Sequence, residues 1–182
     1  MKWYFRKKKS MKKIGTFLFA ALLLFACQPG QDPAQAILRS EIKTLEKQLG
    51  KAEDISKDKE VTLKLIEKTN EYAQQYPQDT LTPTLLFRAG DAAKRVKEYG
   101  KAVELWGEVW RKYGKHRKAP MALFQQGFTF DSELHDPVMA TKYYKKFLTA
   151  FPNDTLLSPQ VKQLLSVINV KPEDLVKKFE TE

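Results

Sequence analysis

The phrase Pro-x-x-Leu-Phe-x-x-Gly is written twice in this chain, 37 residues apart, as PTLLFRAG from Pro83 to Gly90 and PMALFQQG from Pro120 to Gly127. A second pattern keeps step with it. Leu65, Thr69, Tyr72, Ala73 and Tyr76 are spaced as one helix face and run into Pro77. Ala102, Trp106, Val109, Trp110 and Tyr113 repeat those offsets 37 residues later and run into Gly114. Ala140, Tyr144, Phe147, Leu148 and Phe151 repeat them after a further 38 and run into Pro152. Two helices therefore alternate: a helix A that carries the glycine phrase and a helix B that carries the aromatic face. A unit this small cannot bury its apolar face alone, so successive units must stack, which is the logic of a helical solenoid.

No segment shows sustained period-two alternation, so the expected fold class is all-α. Helices are predicted at 35–53, 58–76, 82–98, 100–114, 119–134, 137–151, 158–168 and 172–181. Pro83, Pro120, Pro137, Pro159 and Pro172 all fall near a predicted helix start, where a missing N–H costs little. Ahead of the repeats, Leu38, Ile42, Leu45 and Leu49 step by four, three and four. That seam suits a short coiled coil or one surface helix laid against the next unit.

The repeated pattern resembles the tetratricopeptide repeat. Gly90 and Gly127 match the helix A glycine of that family, and Ala102 and Ala140 the helix B alanine where the two helices cross. Trp106 and Tyr144 match the following aromatic, and Pro77 and Pro152 the closing proline. The chain departs from the family in its longer period, in Gly114 where a proline closes the unit, and in one extra residue at LHDP. Its first unit has Leu65 and Thr69 in place of alanine and an aromatic, and no matching helix A. The resemblance implies about two and a half repeats over residues 58–168, with residues 169–182 as a capping helix. It also implies that helix A lines a concave surface. The outward positions are then Thr84, Phe87, Asp91, Lys94 and Arg95, followed by Met121, Phe124, Phe128, Asp131 and Ser132. The three phenylalanines have an alternative role, packing between units.

Charge separates the front of the chain from the rest. The net charge is +10, but seven of the 32 basic residues and no acidic residue precede Cys27. Beyond it 25 basic residues face 22 acidic ones, too even a balance to drive binding to a phosphate backbone. A basic run, MKWYFRKKKSMKK, leads into the apolar stretch Ile14–Ala26; Met11 restarts the run and is a second candidate start. Thirteen residues span roughly 20 Å as a helix, short of the ~30 Å hydrocarbon core, so residues 1–26 read as a signal peptide. LFAC, ending at the only cysteine, Cys27, resembles the lipobox of bacterial lipoproteins, with Phe25 bulkier than usual. That resemblance implies a lipidated Cys27 at a new amino terminus; the turn formers Gln28–Pro33 then read as a flexible tether over 27–34, ahead of an amphipathic or short coiled-coil helix over 35–57. With no aspartate after the cysteine, it also implies the outer membrane, facing the periplasm.

The remaining chemistry is sparse. His116 and His135 have no paired-ligand spacing, and neither a glycine-rich phosphate loop nor a nucleophile elbow occurs, so no metal, cofactor or catalytic site is expected. RKYGKHRK, Arg111–Lys118, suits either anionic headgroups and acidic partners or a solvated helix end that complements its dipole. The expected function is a lipid-anchored scaffold or adaptor that binds other envelope proteins or extended peptides, and no nucleic acid. In organisation it resembles the helical-repeat lipoproteins of β-barrel assembly machinery and the Tol–Pal-associated periplasmic coordinators. The alternatives are an enzyme or glycan-binding module using the same groove, and a structural spacer.

Overall fold

A computed structural model describes residues 32–49 and 55–168. The segment expected as a signal peptide, Cys27, most of the expected tether and the helix expected at 172–181 lie outside the described residues. Those residues form seven helices and no strand: α1 (Pro33–Gln48), α2 (Ile55–Gln75), α3 (Thr82–Arg95), α4 (Tyr99–Lys112), α5 (Ala119–Ser132), α6 (Pro137–Ala150) and α7 (Leu157–Val167). The all-α expectation holds.

Prolines occupy the first turn of α3, α5 and α6. Asp136 also caps α6, its Oδ1 accepting from the Met139 N–H at 2.9 Å. α3 stops at Arg95, earlier than periodicity suggested, because Lys97 turns left-handed with φ of 63°. The Lys97 N–H then donates to the Lys94 carbonyl and the Glu98 N–H to the Ala93 carbonyl, both at 2.9 Å. Two terminal carbonyls are satisfied and the chain reverses into α4. The matching reversal after α5 uses His135, with φ of 50°, and closes more widely, from the Asp136 N–H to the Phe130 carbonyl at 2.8 Å. The extra residue in LHDP is absorbed there: residues 133–136 link α5 to α6, where 96–98 link α3 to α4.

From α2 onward each helix packs on its neighbours in sequence, and α5 also touches α7. Two crossings are built alike. In α3 against α4, Gly90 faces the Trp106 indole; in α5 against α6, Gly127 faces the Tyr144 ring. Ala102 and Ala140 are fully buried beside those aromatics. Small residues on both helices bring the backbones close, and the aromatic fills the space that side chains would otherwise occupy.

The α1 seam turns onto the chain itself. Leu38 and Ile42 are buried with Leu65, Tyr72, Leu85 and Ala92, and Leu45 and Leu49 pack at the margin. Polar ties fix the register. Arg39 pairs with Asp79 and donates from Nε to the Tyr72 hydroxyl at 2.6 Å, and Arg88 reaches Glu46 at 2.6 Å. Burial works to raise the Asp79 carboxyl. Hydrogen bonds from the Leu81 N–H and Tyr72, with the Arg39 charge, outweigh it and hold the carboxyl below its ordinary range.

Candidate functional site

The positions singled out on helix A fall on α3 and α5, and a lysine network joins the two helices. The Lys94 ammonium lies 5.0 Å from the centre of the Phe128 ring and 3.6 Å from Glu133. The Tyr99 hydroxyl donates to Glu133 at 3.0 Å and, with Lys94, holds that carboxylate below its ordinary range. Phe124 stacks on Phe128 with ring centres 5.8 Å apart, and its other flank meets Tyr144 and Phe147. Both Phe124 and Phe128 are half-buried. Phe87 differs: only 5% of its surface is exposed, and the Lys118 ammonium sits 4.5 Å above its ring.

The remaining positions take separate roles. Asp91 keeps an exposed flank, and its carboxylate accepts the Trp106 indole N–H at 3.2 Å. The surrounding chain displaces enough water to raise that carboxyl above its ordinary value, against the pull of Trp106, Lys118 and Lys94. Asp131 accepts from the Tyr144 hydroxyl at 3.1 Å. Arg95 reaches Asp58 at 3.7 Å and is otherwise open to solvent. Met121 packs at the junction of two core clusters. Thr84 edges a cleft of ≈ 340 Å³ between α1 and α3, shared with Arg39, Ile42, Glu46 and Arg88. Along α3 a second cleft, of ≈ 320 Å³, brings Arg88, Asp91 and Arg95 together with Glu46 of α1. Burial pushes the Glu46 carboxyl up while Arg88 draws it down.

Sequence reasoning missed Gln126. It is fully buried, accepts the Trp110 indole N–H at 2.6 Å and donates to the Val103 carbonyl at 2.5 Å. It thus pins α5 to α4 with both ends of its amide. The available signal was a glutamine beside the helix A glycine, at a position where periodicity calls for an apolar side chain.

Such a face can hold a peptide by aromatic contact and by charge. Among the described residues no group of His, Cys, Asp or Glu is placed to hold a metal ion, and no helix is long and apolar enough to cross a membrane. No protein-family model, curated protein or solved structure matches the chain.

Proposed function

We propose that the protein is a lipid-anchored envelope protein that works as an interaction scaffold. In this reading Cys27 carries the acyl chains, and residues 58–168 form a solenoid of about two and a half tetratricopeptide-like repeats. The outward face of α3 and α5 receives extended segments or helices of other envelope proteins, without a catalytic step. The observation that carries the reading is the pair of matched crossings, Gly90 on Trp106 and Gly127 on Tyr144. They hold α3 and α5 in equivalent settings and leave Phe124, Phe128 and Lys94 in one line of contacts with surface still in contact with water, while Arg95 stays exposed on the side of α3 that meets Asp58. The apolar stretch ending at Cys27 supports the anchor.

The test is photo-cross-linking in intact envelopes. A photoreactive residue at Arg95 or Ser132, both exposed, should capture a discrete protein partner. The same group at the exposed Lys145 of α6 should not. Capture of glycan alone from positions 95 and 132, or equal capture from all three, overturns the reading.

A further inference from the structure

Three turns lead from a helix B into the next helix A, at 76–82, 113–119 and 151–158. They share one design. The residue three places after the closing aromatic donates its N–H back to that aromatic's carbonyl: Asp79 to Tyr76 at 3.1 Å, His116 to Tyr113 at 2.8 Å, Asp154 to Phe151 at 3.2 Å. The side chain of the same residue then accepts a backbone N–H two places on. Asp79 takes that of Leu81 at 2.7 Å, and Asp154 those of Leu156 at 3.1 Å and Leu157 at 2.8 Å. In the middle turn the acceptor is an imidazole: His116 Nδ1 accepts from the Lys118 N–H at 3.2 Å.

The two outer turns carry further ties that the middle one lacks. Thr82 donates its hydroxyl to the Tyr76 carbonyl at 2.7 Å, and Ser158 its own to the Phe151 carbonyl at 3.0 Å. The equivalent residue, at the start of α5, is Ala119, which has no hydroxyl. Pro77 and Pro152 stiffen the outer turns, and Gly114 stands in their place. The side-chain closure of the α4–α5 turn therefore rests on His116.

Only a neutral imidazole with its proton on Nε2 can accept at Nδ1. Aspartate keeps its acceptor down to pH ~4, whereas a free imidazole gives it up near ~6.5. We propose that His116 is a pH-sensitive latch: neutral, it closes the α4–α5 turn onto Lys118; protonated, it releases the Lys118 N–H and loosens the start of α5.

The surroundings suit that role. Lys112 and Tyr113 face the imidazole from the end of α4, and Lys115, Arg117 and Lys118 from the turn itself. Across a cleft of ≈ 520 Å³ stands Asp79 of the neighbouring turn, already engaged by Arg39. Burial first, then Arg117 and Lys118, hold the imidazole below its ordinary value. The folded chain thus binds fewer protons at His116 than the unfolded chain. The contribution of the latch is full above pH ~6.5 and is lost as pH falls toward the folded value. Lys118 is also the residue whose ammonium covers Phe87, so opening the turn loosens a contact between the α4–α5 turn and α3.

The test uses the full chain in detergent micelles, followed by NMR and amide exchange. At neutral pH His116 should show the Nε2–H tautomer. Between about pH 7 and pH 5 the protection factor of the Lys118 amide should fall about tenfold, while Leu81 and Leu156 stay protected. His116→Asp should keep Lys118 protected at both pH values, and His116→Ala at neither. An Nδ1–H tautomer at neutral pH, a Lys118 protection factor indifferent to pH, or a His116→Asp chain with unchanged pH dependence overturns the proposal.

Discussion

The Trp106 indole occupies the space where a side chain at position 90 would begin: a Cβ on Gly90 would stand 2.6 Å from Nε1 and 2.7 Å from Cδ1. The indole cannot swing aside freely. It is fully buried, and its N–H points at the Phe87 carbonyl and the Asp91 carboxylate, each 3.2 Å away. Gly90→Ala should therefore destabilise the fold by roughly 1–3 kcal/mol through overpacking. Gly127→Ala should do the same against Tyr144, whose ring lies 2.8 Å from the added carbon. At Gly100 an added carbon meets nothing within 4 Å, so Gly100→Ala should stabilise the first turn of α4 by about 0.5–1 kcal/mol. Denaturant unfolding of the three variants measures the contrast; equal effects at 90 and 100 would refute the close-crossing account.

Lys97 is exposed and holds a left-handed backbone that a residue with a Cβ adopts at a cost. Replacing it with glycine should stabilise the α3–α4 reversal by about 1 kcal/mol, and Lys97→Val should weaken it. A shift of the denaturation midpoint in opposite directions for the two variants, at unchanged m, checks this.

Phe87 and Phe128 should part company when each is cut to alanine. Phe87 is 5% exposed beneath Lys118, so its loss should cost ~3–5 kcal/mol of stability. Phe128 is half-buried, with Phe124 on one side and Lys94 on the other, and should cost less. If α3 and α5 bind a partner, Phe128→Ala should weaken capture more than tenfold, or ~1.4 kcal/mol. A Phe128→Ala protein that is badly destabilised while its folded fraction binds normally would remove this residue from the site.

Cys27→Ser should abolish stable membrane attachment, since serine offers no thiol for a thioether to lipid. If Cys27 is lipidated as proposed, two or three acyl chains hold well beyond the marginal affinity of one, and the wild-type chain should resist extraction by high salt. Fractionation of the two proteins decides it: a wild-type chain released by salt alone speaks against a lipid anchor.

What could be read without coordinates was local or periodic. Prolines 83, 120 and 137 marked helix starts because a missing N–H is harmless there and disruptive elsewhere. The aromatic spacing of α4 and α6 told which face turns inward, since a helix repeats every 3.6 residues whatever surrounds it. The extra residue in LHDP was visible too, and it emerged as the wider reversal at His135.

Other features depended on which element covers which face, and periodicity is silent on that. The α1 seam served a coiled coil and an internal contact equally well until α2 and α3 were found against it. Phe87 and Phe124 hold the same place in the repeated phrase, but only Phe87 lies under a lysine, because Lys118 arrives from a turn some thirty residues away. Gln126 drew no notice in the sequence, because its role depends on Trp110 and Val103 meeting both ends of its amide. His116 stood out in the sequence only as a histidine without a ligand partner inside a basic run, and the turn geometry shows it as the counterpart of Asp79 and Asp154. A spacing rule records which side chains share a face; partners brought in from distant segments decide whether that face is core, contact or open surface.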